Sequence, residues 1–243
     1  MSTLAPVSTS GTSTFSLSLA DIVEEAYERV GIEARSGYDY RTARRSLNLL
    51  TIEWASRGIN LWTVEQGSIP LVAGTATYNL PADTIDLIEH TIRQNPGSTA
   101  TQTDINISRI SVSTYSTIPN KLAQGRPIQI YINRQSGVLN PGGVAFPTVT
   151  VWPVPQDNSF TLVYWRLRRV QDAGMGTNVP DIPFRFLPCL VAGLAFYIAM
   201  KRPEGQARLP ALQAEYERQW DHASSEDRDR SSVRFVPRST FYR

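Results

Sequence analysis

Few residues of this chain combine the type and the spacing that chemistry requires. There are two histidines, His90 and His222, far apart in sequence. Neither sits in a metal-ligand spacing, so each reads as a surface or internally satisfied imidazole. The single cysteine, Cys189, falls in an apolar helical run and reads as a small core residue rather than a nucleophile. "GMGTNV", from Gly174, lacks the third glycine of a dinucleotide loop and follows no parallel-sheet pattern. There is no phosphate loop and no serine elbow. Asp83, Asp86 and Glu89 fall close together. On a helix Asp86 and Glu89 would share a face; on a strand they would not. A paired-carboxylate catalyst on cell-wall glycan is the catalytic reading of these acids, and a solvated rim is the plainer one. Asn106-Ile107-Ser108 matches a glycosylation sequon, which without a secretory signal reads as coincidence. These residues predict no enzyme, no cofactor and no metal site.

Positive charge is better organised. Arg41, Arg44 and Arg45 sit together on an early helix. Arg166 and Arg168 point to one side of a late strand, with Arg169 beside them. A solvated face accounts for both clusters; phosphate contact is the alternative, which a ring of identical copies would multiply. The C-terminal "RSSVRFVPRSTFYR" carries four arginines, three aromatics and no acid. It reads as an extended docking peptide, because aromatics and arginine carry interface energy.

The elements that hold these residues follow from periodicity. Ser18 is a good N-cap with Asp21 three residues on. Leu19, Ile22, Val23, Ala26, Tyr27 and Val30 then form one apolar stripe, and Gly31 ends the helix. A second helix is expected from near Asp39, with Tyr40, Ala43, Leu47, Leu50 and Trp54 on one face and Gly58 as its stop. The two helices read as an antiparallel pair. After Gly58 the period falls to two. Gly74, between "IPLVA" and "TATYNLP", reads as a hairpin turn. Further strands are expected over Thr84–Gln94, Asp104–Ile110, Pro127–Arg134, Thr148–Pro153 and Phe160–Val170. "SVSTYSTIPNK" reads as one short helix among them. Next comes a buried helix in "VPDIPFRFLPCLVAGLAFYIAMKRP", with Pro188 in its first turn. A last helix is expected from about Ala207 to Asp227, with Leu212, Tyr216 and Trp220 on one face.

The fold class is therefore α+β. N- and C-terminal helices form a bundle around a central antiparallel β-sandwich or barrel-like domain, with extended terminal arms. The expected boundaries are 1–17 for a flexible Ser/Thr-rich arm, 18–58 for the helix pair and 59–180 for the β-rich domain. Residues 181–228 complete the bundle and 229–243 form the docking tail. Trp54 and Trp62 flank the change of period and are expected to brace the joint between bundle and β domain. At 243 residues and 41% apolar content the chain can bury a real core. A net charge of +2 gives no whole-molecule field toward nucleic acid or membrane. One cysteine excludes an internal disulfide. No apolar run approaches the roughly 20 residues of a membrane span, so no membrane anchor is expected.

Taken together, the pattern resembles the head-to-tail adaptors of short-tailed bacteriophages, the tail tubular A or packaged-DNA-stabilising group, over roughly residues 18–238. The carriers are "SLNLLTIEWASRGINLWTVEQGSIPLVAGTATYNLPADTIDLIE", "ISRISVSTYSTIPNKLAQGRPIQIYINR", "VTVWPVPQDNSFTLVYWRLRRV" and "IPFRFLPCLVAGLAFYIAMKRP". The "W…RG…LW" helix exit, the "G…TYNLP" segment and the "GRP…Y" strand stand in the family's order. The resemblance implies a structural virion protein made in the host cytoplasm and placed at the head–tail junction. It implies about twelve copies in a ring beneath the portal protein, which receives the next tail component, a nozzle or tail tube. Packaged double-stranded DNA would pass through the lumen in transient, non-specific contact. The implied portal-docking element is Arg234, Phe235, Val236, Arg238, Phe241 and Tyr242. Arg41, Arg44, Arg45, Arg166 and Arg168 are the candidates for channel contact. Some related adaptors are associated with peptidoglycan hydrolysis, which has no convincing constellation here. A glycan-binding or cell-wall-degrading tail module is the competing reading.

Overall fold

A computed structural model describes residues 15–58, 61–134, 139–140, 143–144 and 146–227. Its helices are α1 (Leu19–Val30), α2 (Gly37–Arg57), α3 (Val112–Thr117), α4 (Leu187–Ala199) and α5 (Leu209–Glu226). Its strands are β1 (Val64–Pro70), β2 (Thr77–Asn79), β3 (Thr84–Gln94), β4 (Thr103–Asn106), β5 (Ser108–Ile110), β6 (Gln124–Gly125), β7 (Gln129–Asn133), β8 (Leu139–Asn140), β9 (Gly143–Val144), β10 (Thr148–Trp152), β11 (Val154–Pro155) and β12 (Phe160–Arg168). The fold is mixed α+β, and neither four-stranded sheet closes on itself. The chain divides into two compact units. One runs from Trp62 to Gln171; the other takes the chain up to Leu61 and again from Asp172.

In the helical unit, local chemistry sets the helix ends. Ser18 accepts from the Asp21 amide while Asp21 accepts from the Ser18 amide, closing a capping box on α1. Ser36 and Asp39 do the same for α2, which therefore begins at Gly37, two residues before the expected start. Gly31 and Gly58 end the two helices at φ 87° and 89°, a region costly for residues with a β-carbon. α4 is buried on most of its surface and packs against α1, α2 and α5. It is α4, apolar nearly all round, that gathers the unit, so α1 and α2 lie chiefly on it rather than on each other. A β-carbon on Gly193 would stand 2.8 Å from Leu50 and 2.9 Å from Tyr216, so this glycine permits the close approach of α2 and α5 to α4. α5 begins later than expected, because Pro203–Arg208 forms a 3₁₀ turn before it.

The β unit holds two four-stranded sheets, in the orders β1-β12-β3-β4 and β2-β10-β7-β5. Residues of both sheets, among them Leu87, Ile92, Leu162, Ile130, Val149 and Val151, share one apolar cluster. The pairing is mostly antiparallel, with β5–β7 and β6–β11 parallel. The hairpin expected at Gly74 is not formed. β1 pairs with β12 and β2 pairs with β10, so the turn carries the chain from one sheet to the other. The reason is visible at its ends: the Leu71 amide donates to Phe160 O, while the Val151 amide donates to Ala76 O. At the opposite edges the chain crosses back, since β4 and β5 are separated by Ile107 alone and belong to different sheets. Ile107 is buried in the shared cluster.

Candidate functional site

Where α2, α4 and α5 meet, a polar network runs from the apolar core of the helical unit to its surface. The Trp54 indole donates to Tyr216 Oη at 3.2 Å, and Tyr216 Oη donates to Glu53 Oε1 at 3.3 Å. Tyr197 Oη donates to Glu53 Oε2 at 2.6 Å. Arg57 pairs with Glu53 at 2.7 Å and lies 4.7 Å from the centre of the Trp220 ring. Trp54 itself is 1% exposed and meets Trp220 edge to face. Burial and the Glu53 carboxylate push the Tyr197 hydroxyl up to about 12, so it stays a donor at all ordinary pH. Trp54 thus works inside the helical unit, holding α2 to α5. Trp62 lies half-buried in the 3₁₀ turn Leu61–Thr63, directly ahead of β1.

The outer faces of α1 and α2 carry opposite charge. On α1, Asp21, Glu24, Glu25 and Glu28 recur at steps of three and four, away from the buried stripe. Glu25 pairs with Arg29 at 2.8 Å, and Glu24 accepts the Tyr40 hydroxyl at 2.7 Å. On α2, Arg41, Arg44 and Arg45 are all exposed. Arg44 donates to Gly174 O and Arg45 reaches Thr42 Oγ1 at 3.4 Å; none of the three forms an ion pair among the described residues. Leu49 and Ile52, 54% and 62% exposed, continue the same face toward the helix end.

The other arginine cluster has a different setting. Arg166 bonds Asp83 at 2.6 Å and Glu65 at 2.9 Å, and Arg168 bonds Glu65 at 2.5 Å. Their side chains are only 11% and 12% exposed. The sequence placed both on one side of β12, and the structure brings them there onto the carboxylates of neighbouring segments. The Arg166 guanidinium holds Asp83 below the usual carboxylate range. A glycosidase general acid needs a raised value instead. Asp86 is taken up by Arg109 at 3.0 Å and Arg134 at 3.1 Å. Glu89 is exposed on β3.

The remaining candidates are placed as follows. Cys189 is 2% exposed on α4, and burial pushes its thiol up to about 12, far from a reactive thiolate. His222 is exposed on α5. His90, on β3, is neither exposed nor satisfied. Both ring nitrogens are buried without a hydrogen-bond partner of ordinary geometry among the described residues, and burial, aided by nearby Arg109, lowers its pKa against the pull of Glu89 and the Ile107 backbone. The "GMGTN" segment has a structural use that the sequence did not reveal. Gly176 O and Asn178 O accept from the Ala20 and Leu19 amides, satisfying first-turn donors of α1. Arg234, Phe235, Val236, Arg238, Phe241 and Tyr242 lie outside the described residues. Among the described residues no group of three His, Cys, Asp or Glu side chains is placed to hold a metal. No described helix is long and apolar enough to cross a membrane.

A family model described as SU10 adaptor protein matches residues 17–238. No curated protein matches the chain.

Proposed function

The chain belongs to the SU10 adaptor protein family, a phage head-to-tail adaptor family, and from that membership we propose that it forms a ring of about twelve copies below the portal. In this reading the ring closes the DNA-filled head, receives the next tail component, and gives the genome a channel. The observation that carries it is the extent of the family match, which spans 17–238 of 243 residues and so takes in both units. The helices are then a bundle and the two sheets a sandwich, each a packed unit suited to fixed neighbour contacts. A channel wall must not grip DNA. Arginines already neutralised by their own chain, such as Arg166 and Arg168, suit such a wall better than free ones.

Portal attachment is assigned to the C-terminal segment, through Arg234, Phe235, Val236, Arg238, Phe241 and Tyr242. A basic peptide with three aromatics supplies both the charge and the anchors that interfaces use. The test is a truncation. Deleting residues 229–243 is expected to leave a folded protein that no longer sediments with portal assemblies. Undiminished binding by the truncated chain would overturn the assignment. No observation favours the cell-wall reading: Asp83 and Asp86 are each committed to an arginine.

A further inference from the structure

We propose that the exposed face of α2 is a docking surface for the exposed face of α1 on a second copy of this chain. The inference rests on the ring reading and names the surfaces that mate within it. A ring needs a heterologous contact, in which two different patches of one subunit meet. The helical unit presents two such patches of opposite sign. α1 shows four carboxylates against one guanidinium, Arg29, which is held by Glu25. α2 shows Arg41, Arg44 and Arg45 without an ion-pair partner among the described residues.

The order along each helix matches as well as the sign. On α2 the charged turns come first, and Leu49 and Ile52 follow toward the C-terminal end. On α1 the acids follow an apolar start: Phe15 and Leu17, 67% and 36% exposed, stand just ahead of the cap. Laid antiparallel, Arg41 and Arg45 face Glu28 and Glu24, and Ile52 then falls opposite Leu17. Laid parallel, charge would face apolar surface. The lengths agree too. From Arg41 to Ile52 is about 16 Å of helix, against about 15 Å from Glu28 back to the Ser18 cap of α1.

Two competitors are weaker. α5 also carries acids, but Glu215 and Glu217 lie on different sides and are already paired with Arg218 and Arg57. Duplex DNA would take the arginines but leave Leu49 and Ile52 facing phosphate, which offers them no apolar partner.

The test is charge reversal with mixing. Arg41→Glu with Arg45→Glu makes both faces acidic; Glu24→Lys with Glu28→Lys makes both basic. Circular dichroism establishes that each variant is folded. Mixed with portal assemblies, each variant alone is expected to lose the ring by native mass measurement. An equimolar mixture of the two should restore it, with the copies alternating. A ring formed by either variant alone overturns the proposal, including the case in which Arg41→Glu with Arg45→Glu alters only DNA retention. Failure of the mixture to assemble, with wild-type rings intact, also overturns it. If the wild-type chain forms no ring, the ring reading itself fails, and this inference falls with it.

Discussion

Glu53 accepts from two tyrosines and pairs with Arg57, and that one carboxylate fastens α2 to α4 and α5. Tyr216→Phe would strip the Trp54 indole of its acceptor while changing the packing little. The expected cost is about 1–3 kcal/mol, the penalty of a buried unpaired donor, read from urea unfolding with an unchanged slope. Gly193→Ala would drive a methyl into Leu50 and Tyr216, and should cost about 1–3 kcal/mol by overpacking in the same measurement. His90 makes a prediction about pH. Its folded pKa lies below the ordinary value of 6.5, so the unfolded chain binds the proton more readily. By linkage, the His90 contribution to stability is fully present above about pH 6.5 and is lost as the pH falls from there through the lower folded value. Thermal melts at pH 7.5 and 5.5 should show this loss, and His90→Leu should reduce it; an unchanged loss in the variant would point to other groups. The burial of His90 was not legible in the sequence. Strict alternation from the buried Leu87 would turn Glu89 inward and His90 outward. The ladder pairs Leu87 with Arg166 and Glu89 with Trp165, so Ile88 is an extra residue and the faces exchange after it.

At the scale of elements, the helices read more plainly than the sheet connections. Capping boxes and stop glycines are local chemistry, so α1 was expected at Leu19–Val30, where it lies, and α2 differs only by its first turn. Ser36→Ala should therefore cost about 1 kcal/mol. It should also loosen Asp39, which Ser36 and Arg202 share; chemical denaturation alongside hydrogen exchange of the first turn of α2 would show both. β3 and β10 fall where alternation placed them, β10 one residue shorter. Pairing partners are another matter, because they depend on residues distant in sequence. Gly74 carries the local signature of a hairpin turn. Yet the strand before it is claimed by β12, some ninety residues later. The ion cluster of Glu65, Asp83, Arg166 and Arg168 was legible only by half. The strand period put the two arginines on one side, but nothing local revealed which acids would meet them. Arg166→Ala should return Asp83 toward its ordinary range, a rise that carboxyl chemical shifts followed through a pH titration would report.

At the level of the whole molecule, a family membership meets a physical requirement. The match over 17–238 makes the chain an adaptor of a phage head-to-tail family, and the proposed ring asks its surfaces to meet copies of themselves in a closed circle. The two outer helix faces, acidic on α1 and basic on α2, are suited to that requirement. The helical unit that carries them is held tight by α4 and by the network around Glu53. The most direct measurement is the mass of the native assembly formed when purified protein is mixed with portal. A single ring species of about twelve copies is expected on each portal, absent when the C-terminal segment is deleted. Single copies or pairs bound to portal, or a chain that ignores portal altogether, would contradict it.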